Sequence, residues 1–212
     1  MPVIINGTTG ITTPAATING ATTITGATTL SSTLGVTGAT TLSSTLYSPG
    51  AIIQMQSFTY NSVFTTTTHG GSGTGPASAG TDTPLTIAIT PKFSTSKITV
   101  MATGLVGYNS GLQVWLGSIK RSGASVSTAY SPAPSGGSSP GWSYPVYIAA
   151  AMMVPFNMLW TDSPATNTTI NYTVRISGNN NNASPVGIGV AEISTYSSWQ
   201  GTSSIVVYEV AQ

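Results

Sequence analysis

"INYTVRIS", residues 170–177, sets Ile170, Tyr172, Val174 and Ile176 at every second position, with Asn171, Thr173, Arg175 and Ser177 between them. Successive side chains of a strand point to opposite faces, so a run of this kind buries one face and solvates the other. The same texture recurs on either side. Leu85-Thr86-Ile87-Ala88-Ile89-Thr90 alternates in the same way, and Ile98, Val100 and Ala102 interleave with Thr99 and Met101. Ala51 to Tyr60, Leu112 to Ile119, Gly187 to Ile193 and Ile205 to Val210 are further candidate strands. Tyr144 to Trp160, "YPVYIAAAMMVPFNMLW", is apolar but interrupted by Pro145, Pro155 and Asn157. It falls short of the roughly 20 apolar residues that a membrane helix needs, which predicts two buried strands joined by a Pro bend and no membrane insertion.

Gly70 to Gly80, Ser131 to Gly141 and Gly178 to Pro185 are rich in Gly, Pro, Ser and Asn and read as loops, and no segment shows capped helical periodicity. About eight or nine short strands separated by such loops predict an all-β domain over 49–212, a jelly-roll-like antiparallel β-sandwich.

Residues 1–48 are of a different kind. "TGATTLSSTL" at 25–34 returns unchanged at 37–46, and inside it runs a hexad: Ile18, Ile24, Leu30, Val36 and Leu42 are evenly spaced, with Gly20, Gly26, Ser32, Gly38 and Ser44 two places on. One apolar residue in six leaves a lone chain almost nothing to bury. Collagen is excluded because positions 23 and 29 are Thr and 32 is Ser. A single-chain solenoid needs about three stacked units, more than these hexads supply.

Three chains wound about one axis meet the requirement. Each hexad then contributes a layer of three apolar side chains, and the small residue two places on admits close backbone approach. Threonine favours extended backbone and solvates the outer surface without charge. Extended, each hexad rises at most about 20 Å and five hexads at most about 100 Å. The prediction is an intertwined homotrimeric β shaft with Ile18, Ile24, Leu30, Val36 and Leu42 as its core; strands lying on a neighbouring protein and a flexible linker are the alternatives. Ser48-Pro49-Gly50 closes the repeat with turn chemistry.

The 212 residues include five Lys and Arg and four Asp and Glu, a net charge of +1. Lys92, Lys97, Lys120, Arg121 and Arg175 are scattered, which leaves no electrostatic footprint for nucleic acid or anionic lipid. Cysteine is absent, so disulfide scaffolds and thiolate metal sites are excluded. The start, Met1-Pro2-Val3-Ile4-Ile5-Asn6-Gly7, has neither the basic region nor the apolar run of a signal peptide, and export by that route is not expected.

Catalytic chemistry is sparse. Asp82, Asp162, Glu192 and Glu209 are the only carboxylates. Asp162, before Ser163-Pro164, reads as an Asx turn, and Glu192 and Glu209 as solvent-facing or paired with Lys or Arg. An intersubunit site on a trimer axis, to which each chain would bring one carboxylate, stays open. His69 is the sole histidine and cannot form a cluster within one chain; it reads as a solvated loop residue, with a metal on a trimer axis as the alternative. Gly70-Gly71-Ser72-Gly73-Thr74 misses the hydrolase G-x-S-x-G pattern at its last position, and Gly71, Gly73 and Gly75 do not continue into a dinucleotide fingerprint. No catalytic, cofactor or metal site is expected. Tyr130, Trp142, Tyr144, Tyr196 and Trp199 lie in or beside Gly/Ser-rich loops and are the candidate receptor or glycan contacts, with core or trimer-interface packing as the alternative.

Ile5-Asn6-Gly7-Thr8-Thr9-Gly10-Ile11, the hexads, Leu159-Trp160-Thr161-Asp162-Ser163-Pro164-Ala165 followed by Tyr172-Thr173-Val174, and the closing Ser204-Ile205-Val206-Val207-Tyr208-Glu209-Val210 together resemble phage tail-fibre and virion-fibre proteins, particularly those of marine and cyanobacterial phages. The resemblance spans most of the chain. It implies a trimeric, non-enzymatic component of the virion, on the tail or the capsid surface, with an N-terminal segment attached to other virion proteins, a shaft, and a distal β-domain that contacts a glycan or protein of the host surface. A capsid or tail decoration fibre is the alternative role, and a polysaccharide-degrading tailspike a distant one.

Overall fold

The computed structural model describes residues 35, 37–38, 48–68, 80–108, 113–131, 144–148, 153–178, 186–189 and 201–212, with the backbone alone at 108, 113–115, 144–148 and 153. Apart from Gly35, Thr37 and Gly38, all of these fall in one unit, Leu46–Gln212. The shaft-core candidates Ile18, Ile24, Leu30, Val36 and Leu42 lie outside the described residues, as do His69 and Glu192.

Every regular element among the described residues is a strand: β1 Ile52–Tyr60, β2 Phe64–Thr66, β3 Thr81–Ile89, β4 Lys97–Tyr108, β5 Gln113–Gly123, β6 Val126–Tyr130, β7 Tyr144–Ile148, β8 Met153–Asp162, β9 Ile170–Gly178, β10 Val186–Ile188 and β11 Ser203–Val210. They form two antiparallel sheets. In the first, β4 is central, with β8 along one side and β11 followed by β10 along the other; β1 and β2 flank β11 and β10. In the second the order is β3-β9-β5, and β6 and β7 succeed one another along the free side of β5.

Several segments therefore share a lane. With β1 and β2, β6 and β7, and β10 and β11 each counted as one interrupted strand, the segments reduce to the eight-strand jelly roll, in which the pairs β1·β11, β3·β9, β4·β8 and β5·β6 nest from the outermost to the innermost. The expected sandwich is present, and interrupted lanes explain why its segments outnumber the strands read from sequence. The 170–177 alternation maps onto β9, whose Ile170, Tyr172, Val174 and Ile176 are fully buried against Val100, Ala102, Phe156, Met158 and Val207 of the opposite sheet. Each such side chain contributes about 1.5–3 kcal/mol of burial.

Tyr144 to Trp160 behaves otherwise than expected. Its two strands, β7 and β8, belong to different sheets, and the change of sheet falls between 148 and 153. Pro155 does not bend the chain; it sits inside β8 opposite Leu105, while Pro145 sits in β7 opposite Leu116. Among the described residues both strands are paired on one side only, and a proline costs no ladder bond when its nitrogen faces away from the sheet. Pro84 in the outer strand β3 coincides with a register shift between Asp82 and Thr86. There the Thr83 hydroxyl donates to the Val174 carbonyl at 2.7 Å and accepts from the Leu85 amide at 3.2 Å, replacing the missing ladder contacts.

At residue 48 the chain leads into β1 through a turn in which the Ala51 amide donates to the Ser48 carbonyl at 2.9 Å. Gly50 takes a φ of +83° there, the left-handed third position of a type II turn after Pro49. Gly50 and Ala211 then exchange backbone bonds with the opposite strand, Gly50 N to Ala211 O at 2.8 Å and Ala211 N to Ala51 O at 2.9 Å.

Candidate functional site

The registers sort the connections into two ends. Ile52, Ile89, Lys97, Gly123, Asp162, Ile170 and Val210 share the end where residue 48 leads in, the near end; Thr81, Tyr108, Gln113, Ile148, Met153, Gly178 and Val186 lie at the far end.

Near-end connections are short, and several are tied to the strands by side-chain hydrogen bonds. Glu209, fully buried, receives the Lys92 amide at 2.7 Å, the Phe93 amide at 3.3 Å and the Gln54 side-chain amide, so it locks the β3–β4 connection to β1 and β11. The expectation of a solvent-facing or Lys/Arg-paired Glu209 is thus corrected: its position on the inward pleat of β11 faces backbone donors that no charge pattern reveals. The Gln54 amide also donates to the Thr90 carbonyl at 2.7 Å, and Thr90 and Thr169 hydroxyls meet at 2.7 Å.

Asp162 is likewise corrected. It makes no Asx turn but ends β8 with its carboxylate buried, 2.8 and 2.7 Å from Nη1 of Arg121 and 2.7 Å from the Tyr172 hydroxyl, which donates to it. Arg121 sits on β5 at an inward position, and its Nη2 donates to the Ser127 carbonyl at 3.2 Å. Burial, and then the adjacent Asp162 carboxylate, push the Tyr172 hydroxyl far above the ordinary tyrosine range, so it stays a donor. Trp160 packs edge-on against Tyr172, centroids 5.7 Å apart. The third described carboxylate, Asp82, pairs with Lys120 at 2.6 Å and Arg175 at 3.0 Å on the outer face of the second sheet. All three carboxylates are occupied by structural donors, and among the described residues no three of His, Cys, Asp and Glu converge on a metal position.

The far end is built differently. Four sequence segments, 67–80, 109–112, 149–152 and 179–185, leave and rejoin the sandwich there, and a fifth, 189–202, leaves and rejoins at the level of Gly104 and Leu105. Three of them carry "HGGSGTGPASAG", "NSGL" and "NNNNASP", the adaptable small and polar residues, whereas 149–152 is Ala-Ala-Ala-Met. The frame beneath is laced by hydrogen bonds: Thr81 donates to Thr68 at 2.8 Å, Thr66 and Thr81 hydroxyls meet at 3.0 Å, and the Gly178 amide donates to the Thr68 carbonyl at 3.3 Å.

Of the candidate contact residues, Tyr130 ends β6 opposite Lys120, half-buried on the outer face of the second sheet, with the Arg175 guanidinium carbon 6.0 Å from its ring centroid. Tyr144 opens β7 opposite Gly117. Trp142, Tyr196 and Trp199 lie outside the described residues, within 132–143 and 190–200.

A surface that sequence reading missed lies on the outer face of the first sheet. Met101 (47% exposed), Leu159 (60%) and Met55 (57%) stand out there beside Val206 and Tyr208, and a depression of about 270 Å³ opens between Met101, Asn157, Leu159, Ser204, Val206 and Tyr208. Its signal was available in the β11 run, where Val206 and Tyr208 make the outward positions as apolar as the inward ones.

No protein-family model matches the chain, and no curated protein matches it. Among solved structures it is similar to that of the infectious bursal disease virus Gx strain, with a TM-score of 0.36 and 9% identity over 76% of this chain and 38% of that one. It is also similar to the VP2 subviral particle of infectious bursal disease virus, with a TM-score of 0.33 and 10% identity over 76% of this chain and 39% of that one. The chain thus spans about two fifths of the length of those proteins. Likenesses of this size leave the jelly roll to rest on the strand order itself.

Proposed function

We propose that the chain is a non-enzymatic virion fibre that attaches a phage to its host: three copies wind their hexads into a shaft, and the sandwich carries the host-binding loops. The observation that carries this reading is the asymmetry of the sandwich. At the end where residue 48 leads in, Glu209 and Asp162 tie the connections together, whereas the opposite end collects the Gly-, Ser- and Asn-rich connections 67–80, 109–112 and 179–185 on a threonine-laced frame. Small polar residues interspersed with aromatic anchors are the mix of adaptable binding surfaces, and three copies convert weak single contacts into avid attachment. The resemblance to virion fibres supports the same assignment. The engagement of Asp82, Asp162 and Glu209 by structural donors supports a binding role over a hydrolytic one.

The test is competition. Full-length protein added to host cells is expected to bind them and to block adsorption of the phage, and Trp142→Ala with Trp199→Ala is expected to weaken both effects, while Ser94→Ala in the near-end connection leaves both intact. A trimer that neither binds cells nor blocks adsorption would contradict attachment and leave decoration of the capsid or tail.

A further inference from the structure

We infer that the outer face of the β1-β11-β4-β8 sheet is the surface on which the sandwich packs against further copies of this chain. The inference rests on the trimeric reading above and adds where the three sandwiches meet.

The two outer faces of the sandwich differ in charge. On the second sheet, Asp82, Lys120 and Arg175 form a charged ladder in which Asp82 is exposed and the two cations are largely covered. On the first, Lys97, at the near end opposite Val210, is the only charged residue at an outward position of the four strands. A neutral face meets its own copies without like-charge repulsion and without stranding an ion. Across its middle run the register rows Leu159–Met101–Val206 and Thr161–Thr99–Tyr208–Met55, which place methionine and leucine on a pleat that a solvated sheet would fill with polar side chains. Methionine fits irregular neighbours well.

Chain length then selects the occupant. Leu42, the last apolar hexad residue, is followed ten positions later by Ile52, the first residue of β1 and 61% exposed. Ten residues reach at most about 35 Å. Three chains wound together at Leu42 must therefore deliver three β1 strands to within that distance of one axis, and β1 borders the neutral face. The face measures roughly 15–20 Å by 20–25 Å from strand spacing and rise, less than a free-standing interface of about 800 Å² per partner needs. Tethering by the shaft removes that requirement, because linked copies see one another at millimolar effective concentration.

The absence of native cysteine makes the test direct. Met101→Cys marks the centre of the neutral face, and Ala88→Cys, exposed on β3, marks the outer face of the other sheet. In the full-length trimer, oxidation or a short bismaleimide is expected to join Met101→Cys chains into covalent dimers and to leave Ala88→Cys chains single, with the Met101→Cys thiol reacting at least tenfold more slowly with a bulky maleimide. A trimer in which Met101→Cys reacts as fast as Ala88→Cys and gives no cross-link overturns this inference alone, and assigns the face to solvent or to another virion protein. A monomer overturns both the inference and the trimeric reading beneath it.

Discussion

Arg121 and Asp162 belong to opposite sheets, and the guanidinium Nη1 of the one lies 2.8 and 2.7 Å from the two carboxylate oxygens of the other. The pair closes the near end of the sandwich, with the Tyr172 hydroxyl 2.7 Å from the same carboxylate.

Removing one partner of a buried pair strands the other. Arg121→Met is expected to destabilise the protein by about 3–5 kcal/mol, and Arg121→Met with Asp162→Leu to recover most of that loss. Denaturant midpoints of the two variants check it; equal midpoints would show that Asp162 finds other donors.

Tyr172 gives the account an alkaline signature. Its proton is held in the folded state and released near pH 10 once unfolded, so the folded form binds more protons than the unfolded one above that pH, and stability falls as pH rises. The loss approaches about 1.4 kcal/mol per pH unit. Tyr172→Phe is expected to be less stable at pH 7 and to lose less stability than the wild type between about pH 10 and 11. Parallel curves would remove Tyr172 as the source.

Glu209→Gln keeps the shape but removes the charge that the Lys92 and Phe93 amides face. A loss of about 1.5–3 kcal/mol is expected, with faster hydrogen exchange at those two amides and unchanged exchange at Ile119 and Val174. Uniform acceleration would point to global rather than local loosening.

Gly104 has no room for a side chain: an added Cβ would overlap Ser203 and lie 2.8 Å from Phe156. Gly104→Ala is expected to cost about 1–3 kcal/mol, whereas Gly50→Ala acts through its left-handed φ and should respond to replacement by Asn, which tolerates that region. Thermal unfolding of the three variants separates packing from backbone strain.

Alternation made the sandwich legible in 170–177 and 85–90 because the core face writes itself at period two; the other face of β9 was expected in solvent, yet Thr173 and Ser177 on it are buried as well. It could not reveal β2 or β6, which are short and take their burial from neighbours, nor the sheet change between β7 and β8, which depends on tertiary pairing. Asp162 and Glu209 misled for the same reason: their partners, Arg121 and the 92–93 amides, are remote in sequence, and only the fold brings them together. The far-end anchoring of 70–80 and 178–185 follows from strand register, which sets 131–141 between Tyr130 and Tyr144 instead, so composition identified the loops without showing where they join the sandwich.

Sedimentation of the full-length protein tests the trimeric fibre most directly, read beside the variant Ile24→Asp, Leu30→Asp, Val36→Asp. The wild type is expected at three times the 21.5 kDa of one chain, and the variant, with unpaired charge in the three middle layers of the shaft core, at the mass of one. A wild-type monomer, or a variant that remains trimeric, contradicts the account.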